Sequence, residues 1–223
     1  MRKLEAIIMI TSLLALLCLH ACTAVHFQSE SSVIGDLSSR DKIVLLSNLE
    51  SVLDFDDNDV DKCIRPAMHK VNPELNFISA KEFRENLYPY FTPSTTPNDL
   101  KSYQNILIKS EVRQRIDPLG VRYLIILTRR SSDNNWHGGI FCGAGYGGGG
   151  CLGLSWWDRK SQLGLAIWDL RNKQHVGNVE ANATGTGVMP ALGLPIPLYA
   201  PATEAAVCRE LGMRLGKLLS RQE

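Results

Sequence analysis

The alternation of apolar and polar residues along the chain predicts strands and helices in turn. Short apolar runs predict buried strands at 42–50 (KIVLLSNLE) and, most strongly, at 121–130 (VRYLIILTRR). Between them, a segment that follows an acidic turn carries apolar residues at helical spacing, which predicts a helix ending at Asn72-Pro73. The residues at this spacing are Val60, Cys63, Ile64, Ala67, Met68 and Val71.

Capping and turn residues set the limits of the remaining elements. Ser79 followed by Glu82 has the form of a capping box, which predicts a helix over 80–91 after a short strand at 75–79. The rest of the pattern predicts a second helical stretch at 100–120, a loop at 131–139, a hairpin over 162–187 with its turn at 171–174, a proline-rich loop at 189–201 and a closing amphipathic helix at 202–220.

This order of elements predicts the fold class. An opening strand–helix–strand unit requires two parallel strands joined by a right-handed crossover. The later hairpin is antiparallel. We therefore expect an α/β (α+β) domain in which helices pack on a single mixed sheet.

The amino terminus has the features of a secretory signal. Arg2 and Lys3 precede an apolar run over 6–19, which is shorter than the roughly 20 residues that a membrane-spanning helix needs. The run ends in Leu-His-Ala-Cys, which resembles the bacterial lipobox. The resemblance implies that 1–21 is a signal peptide and that Cys22 carries diacylglycerol and a palmitate-type acyl chain. The alternative is ordinary cleavage nearby, for example after Ala24.

The same resemblance implies a location. A lipoprotein with Thr23 rather than aspartate after the cysteine is expected on the periplasmic face of the outer membrane. Residues 22–40 are rich in serine and show no helical period, so we predict a flexible, lipidated tether. A single periplasmic domain is then expected over 41–223, with a glycine- and tryptophan-rich insert at 131–160.

Composition limits the kinds of partner and the redox state. The chain has 24 basic and 23 acidic residues; removal of Arg2, Lys3 and Glu5 with the signal leaves 22 of each, so no basic excess favours nucleic acid. Of the six cysteines, four remain in the predicted domain. Proximity in sequence favours a Cys142–Cys151 disulfide, and Cys63–Cys208 is then paired by default; free buried thiols are the alternative for the second pair.

Three segments carry a resemblance to a known group of domains. These are GVRYLIILTRR, LGLAIWDLRNKQHVGNVEANATGTG and the closing helix, with KIVLLSNLE and FISAKEFRENL at the start. Together they resemble the domain shared by the amino-terminal part of TolB, CsgG and LpoB. The similarity covers about residues 42–220 and implies a TolB-like fold. The insert at 131–160 and the cysteine pairs are not part of that common pattern.

No arrangement of residues in the chain has the spacing of a catalytic, metal or cofactor site. Gly143, Gly145 and Gly148 match the dinucleotide fingerprint, but no helix start follows them. His137, Cys142 and Cys151 provide fewer than the four ligands that a metal knuckle needs. The acidic residues 54–61 lack the calcium-loop pattern and favour helix capping. We expect neither a metal nor a cofactor, and no enzyme activity.

The segment CGAGYGGGGC, residues 142–151, has three interpretations. In the first, it is the tip of a disulfide-stapled hairpin whose aromatic side chains bind a partner. In the second, WHGGIFCGAG and GGCLGLSWWD are membrane strands with tryptophans at their outer ends, for which CsgG, with its inserted hairpins, gives a precedent. In the third, it is a plain loop. The candidate partner-binding residues are Trp136, Phe141, Tyr146, Trp156 and Trp157.

These expectations define a function class. The chain is expected to be a periplasm-facing lipoprotein that binds, assembles or activates another envelope protein or complex without catalysis, and it could form a homo-oligomer. The alternative is a subunit of a CsgG-like oligomeric secretion channel in the outer membrane. A periplasmic enzyme is the third candidate.

Overall fold

A computed structural model describes residues 23–31, 37–47, 56–92, 95, 97, 99–145 and 148–220. The chain divides into two compact units. Unit 1 comprises 1–24, 132–161 and 183–203, and unit 2 comprises 25–131, 162–182 and 204–223. The predicted signal peptide, Cys22 and Tyr146 lie outside the described residues.

From residue 42 onwards the helices and strands occur in the predicted order, with strand β1 before them. The strands are β1 (Ala24–Ser31), β2 (Lys42–Ser47), β3 (Asn76–Phe77), β4 (Val121–Gly145), β5 (Gly148–Asp169) and β6 (Gln174–Pro195). The helices are α1 (Asp57–Val71), α2 (Ala80–Asn86), α3 (Leu100–Leu107), α4 (Ser110–Ile116), a 3₁₀ turn (Asp117–Leu119) and α5 (Thr203–Leu218). Among the helices of the described segments, none combines the length and the hydropathy of a membrane span.

The strands form one mixed sheet in the order β1-β6-β5-β4-β2-β3, which confirms the predicted fold class. β2 is parallel to β3 and to β4, and its pairing with β4 runs from Lys42 opposite Val121 to Ser47 opposite Leu127. The connections from β4 to β5 and from β5 to β6 are a few residues long. Parallel neighbours need a much longer crossover, so these pairs are antiparallel.

Unit 2 has a core of its own between the sheet and the helices. Apolar side chains of β2 and β4 pack against α2, α3 and α4, and the largest of them are fully buried. Burial on this scale is the main stabilising term of the fold. The members of this cluster include Val44, Leu46, Phe83, Phe91, Tyr103, Ile116, Leu124 and Trp168.

Helix caps and close helix packing fix α1. Asp56 accepts a hydrogen bond from the Asp59 amide and the Asp59 carboxylate accepts one from the Asp56 amide, a complete capping box. Gly212 of α5 lies against the backbone of α1, where a Cβ would be 2.5 Å from the Ile64 carbonyl oxygen. A disulfide between Cys63 and Cys208 joins the same two helices.

A buried charge cluster holds the turn between β5 and β6 in unit 2. The Arg122 guanidinium lies 3.4 Å from Asp41 and 3.6 Å from Asp169, and Arg171 also contacts Asp41. Asp169 accepts hydrogen bonds from the backbone amides of Arg171 and Asn172. Burial by itself would raise the pKa of Asp41, but hydrogen bonds from Ser38 and the positive charges of the two arginines outweigh it and hold that pKa below its usual value.

Two predicted loops are strand in the structure. β4 continues through 131–139 to Gly145, and β6 continues through the proline-rich segment to Pro195. Pairing with the long β5 outweighs the local turn preference of Ser, Asn, Gly and Pro in these segments. Gly138 has a φ of 79°, a conformation that lets glycine stay in the strand where another residue would be strained.

Part of the predicted flexible tether is a strand in the structure. Ala24–Ser31 forms the edge strand β1, although residues 22–40 are expected to be flexible. Burial alternates along this strand: Val25 and Phe27 are half-buried, whereas His26 and Gln28 are exposed. The serine content of the segment makes this alternation hard to recognise in the sequence. Arg214 of α5 lies over the Phe27 ring at 5.2 Å from its centroid.

Candidate binding surface on unit 1

Three strand segments build unit 1 around the glycine-rich region. They are the outer parts of β4, β5 and β6, at 132–145, 148–161 and 183–195. The disulfide between Cys142 and Cys151 joins the first two near their ends. The stapled hairpin that the sequence predicts is therefore present, and a third strand lies beside it.

Contacts between the strands define which side chains share a face. Because the disulfide joins Cys142 to Cys151, antiparallel pairing places Phe141 opposite Leu152, on the other face of the hairpin. A Cβ on Gly187 would be 2.3 Å from the ring of Trp157, so these two residues are also opposite one another. Counting five residues along each strand from this pair places Leu192 opposite Leu152.

In the outer part of β5, a serine is buried while leucines are exposed. Ser155 is 8% exposed, whereas Leu152 and Leu154 are 68% and 50% exposed. Strands of a soluble sheet normally bury the large apolar side chains and expose the polar ones. Here the large apolar side chains form an exposed surface, which we call the apolar face. Its members are Phe141, Leu152, Leu154, Trp156, Leu192 and Leu194.

The segment after β6 extends this exposed apolar surface. The amide of Ile196 donates to the Pro190 carbonyl at 3.1 Å, and the amide of Leu198 donates to the Val188 carbonyl at 3.0 Å. The chain thus folds back along its own strand, and the side chains of Ile196 and Leu198 stay exposed.

Charge is absent from the sequence around the apolar face. Residues 138–157 and 187–202 contain no Asp, Glu, Lys or Arg. Charged residues return at Asp158, Arg159 and Lys160. A surface without charge and with contiguous exposed apolar side chains is typical of an interaction site.

A polar border lies where the apolar face ends. His137 is stacked on Trp156, with 6.1 Å between ring centroids, and its Nε2 is 3.4 Å from the Asp158 carboxylate. Asp158 also accepts a hydrogen bond of 2.7 Å from the Thr186 hydroxyl. The three strands are therefore linked by polar contacts at this level.

The other face of the unit 1 sheet carries an aromatic pair. The rings of Trp136 and Trp157 are stacked, with centroids 4.7 Å apart and planes 30° apart. Trp136 is 59% exposed, whereas Trp157 is buried beneath it. Trp136 is thus available for contact, and Trp157 supports it rather than presenting a surface of its own.

Two histidines of unit 2, His69 and His175, are the side chains that an enzyme could use as a base. Their rings contact those of Phe77 and Trp168 at tilted angles of 54° and 57°. Among the described residues, two grooves open on this unit, and neither is lined by those histidines. One runs between α1 and α5 over the Cys63–Cys208 disulfide; the other lies at the first turns of α1 and α2, where Asp57 binds Arg84 at 2.6 Å.

Sequence reasoning missed the contribution of β6. Leu192 and Leu194 belong to the apolar face, but the sequence places them in a predicted proline-rich loop and not in a strand. The signal was present as alternation in PALGL, residues 190–194, where large apolar side chains fall on every second position.

Two solved structures are distantly similar to this chain. No family model matches the chain, and no curated protein matches it. Among solved structures, the PelC dodecamer from Paraburkholderia phytofirmans is similar over 90% of this chain and 100% of that chain, at 11% identity and a TM-score of 0.41. A single-substitution variant of the same PelC dodecamer is similar over the same shares, at 10% identity and a TM-score of 0.38. Both likenesses are too distant to assign this chain to a family or to a function.

Proposed function

We propose that this protein is a periplasm-facing lipoprotein of the outer membrane that holds, assembles or activates another envelope component without catalysing a reaction. Cys22 is its anchor, and unit 1 is its binding element. The observation that carries the proposal is the surface of unit 1, where a disulfide-linked sheet exposes large aliphatic and aromatic side chains on one face and Trp136 on the other.

The rigidity of unit 1 supports a role in binding. The Cys142–Cys151 disulfide, the stacked tryptophans and the polar border hold the three strands in one arrangement before any partner arrives. A surface that is already ordered loses little conformational entropy on association. Exposed tryptophan is also the residue type that contributes most at protein interfaces, which makes Trp136 the favoured point of contact with a protein partner.

The test is photocrosslinking in the native cell envelope. A photoreactive residue at Asn134 shares a strand face with Trp136 and leaves its stack intact; the control position is Lys81, which is exposed on unit 2. We expect discrete adducts to a different protein from Asn134 and none of the same mass from Lys81. Trp136→Ala should lower the yield at Asn134, and Trp136→Phe, which keeps a ring, should restore it.

Other outcomes would reject the proposal. Adducts only to copies of the same chain would favour self-assembly, and the same bands from both positions would show non-specific capture. A chain whose amino-terminal peptide carries no lipid when isolated from membranes would remove the anchor.

A secretion-channel subunit is the second candidate, and one observation favours it. In unit 1, three long antiparallel strands place small residues such as Gly153 and Ser155 on one face and leucines on the other, as strands that face lipid on one side do. The purified lipidated protein in planar bilayers should then give discrete conductance steps. If no conductance steps occur at protein concentrations that saturate the bilayer, the channel is rejected and the binding module remains as the proposed function.

A further inference from the structure

We infer that the apolar face of unit 1 lies on the lipid bilayer in which Cys22 is anchored. The inference rests on the proposed function, because it takes Cys22 as the lipidated residue. It goes further by naming the component that this face contacts. Trp136, on the opposite face of the sheet, stays available for a protein partner.

The first argument is the chemistry of the face. Phe141 and Leu192 are 82% and 84% exposed, and neither lies near a charged residue in sequence. Protein interfaces of similar size usually carry hydrogen-bonding and charged groups at their rims. A surface of leucine and aromatic side chains without charged groups fits acyl chains, which offer no hydrogen-bonding groups.

The second argument is the order of residue types along β5. From the tip inwards along this face, Leu152 and Leu154 come first, the exposed indole of Trp156 next, and Asp158 last. Apolar side chains, then tryptophan, then charge is the sequence of environments from acyl chains through the headgroup region to water. His137 and Thr186 contact Asp158 at the same level from the two neighbouring strands.

The third argument is where the chain enters unit 1. Thr23, the first described residue, lies beside Gly185, where a Cβ would be 3.3 Å from the threonine hydroxyl oxygen. Cys22 directly precedes it. Since β1 begins at Ala24, no flexible tether separates a lipid on Cys22 from this unit. A lipid on Cys22 would therefore place the bilayer directly beside unit 1.

The face lies on the bilayer rather than across it. Pairing of β2 with β4 ends at Leu127, and no other described strand lies beside the outer part of β4 on that side. In hydrocarbon, an open strand edge leaves backbone N–H and C=O groups without partners, which is why only closed barrels span membranes as strands. Shallow contact leaves that edge in the headgroup region and in water.

A crosslinking experiment with lipid tests the inference. The lipidated full chain, isolated from membranes, is placed in vesicles of phosphatidylethanolamine and phosphatidylglycerol with a diazirine analogue of leucine at position 192. The control has the same analogue at Ile108, which is 55% exposed on unit 2. We expect phospholipid adducts, identified by mass, from position 192 and not from position 108.

A charge on the apolar face should abolish the contact. Leu154→Asp should lower the adduct yield at 192 by about tenfold or more, because a carboxylate is disfavoured against lipid. Ser132→Asp, at an exposed position outside the charge-free segments, should leave the yield unchanged. Both substitutions are on the surface, so folding can be checked by the mass of the intact disulfides.

Two results would overturn the inference. Adducts from position 192 to a second copy of the chain would assign the face to self-association. The second result is a probe at position 192 that reacts with water while the protein stays bound to vesicles. It would show that the lipid on Cys22 holds the protein on the membrane without any contact from the apolar face. The mass of the amino-terminal peptide in the same sample shows whether Cys22 is acylated, which separates a failed anchor from a failed contact.

Discussion

Gly187 lies flat against the indole ring of Trp157, at a distance that leaves no room for a side chain: a Cβ would be 2.3 Å from two ring atoms. The contact joins β6 to β5 and supports the ring on which Trp136 stacks. We expect Gly187→Ala to lower the free energy of unfolding by about 1–3 kcal/mol, because overpacking forces the ring from its position.

The matched control for this substitution is Gly143→Ala in the same unit, where a Cβ would meet no atom within 4 Å. Urea unfolding followed by tryptophan fluorescence measures both variants. Equal stability of the two would show that the ring moves aside at no cost and that the Trp136–Trp157 stack is not fixed by β6.

The two disulfides should differ in their contribution to stability. Cys63 and Cys208 are 145 residues apart in sequence, and Cys142 and Cys151 are nine apart. In the chain-entropy model, the longer loop restricts the unfolded chain more, by about 5 kcal/mol against about 2.5 kcal/mol for the shorter one. We expect Cys63→Ala/Cys208→Ala to lose more free energy of unfolding than Cys142→Ala/Cys151→Ala. A larger loss from the second pair would contradict the entropic account.

The hydroxyl of Tyr103 is buried in the core of unit 2 and has no hydrogen-bond partner within the described part of the chain. Burial raises the pKa of Tyr103 well above its usual value. The unfolded chain therefore ionises first, and the stability that this group contributes is present below about pH 10 and falls as the pH rises above it.

Tyr103→Phe tests this effect. At neutral pH we expect a change in the free energy of unfolding within about 1 kcal/mol, since a buried hydroxyl without a partner contributes little. Between pH 9 and 11 the variant should lose less stability than the natural chain. A loss of more than about 2 kcal/mol at neutral pH would show that the hydroxyl has a partner.

The charge cluster around Asp41 should make unit 2 sensitive to acid. Its pKa is lowered in the folded protein, so its contribution is present above the usual carboxyl pKa of about 3.9 and is lost as the pH falls through the lowered value. Asp41→Asn should cost about 3 kcal/mol at neutral pH, because it leaves buried Arg122 with one carboxylate fewer.

The control is Asp133→Asn, at an exposed position, which should change stability by less than about 0.5 kcal/mol. Denaturant unfolding at several pH values between 2 and 7 compares the three proteins. If the natural chain and Asp41→Asn lose stability in parallel as the pH falls, the acid sensitivity arises from other groups.

The elements of unit 2 from residue 42 onwards could be predicted from local signals. Helical spacing from Val60 to Val71 and the cap at Ser79 depend on neighbours within a few residues, and both the helix and the cap are present. The buried strand at 121–130 was equally clear, since its apolar run needs no partner to be recognised.

The strands of unit 1 could not be predicted in the same way. Ser131 to Gly139 and the prolines after Met189 favour turns locally, and only pairing with β5, distant in sequence, makes them strand. In CLGLSW, residues 151–156, large apolar side chains fall at every second position, but such a pattern does not reveal which face is covered. Here Ser155 is buried and Leu154 is exposed, the reverse of the common case.

If Cys22 carries the proposed lipid anchor, the strand at Ala24–Ser31 sets how far the domain can act from the membrane. A flexible segment over 22–40 would extend to about 60 Å, enough to sample a large part of the space between the membrane and more distant layers of the envelope. With β1 starting at Ala24, the free chain after Cys22 is about one residue, or roughly 4 Å. Under that proposal the domain stays close to the membrane surface, so partners must approach to within the height of the domain itself, and they find it by a search in two dimensions.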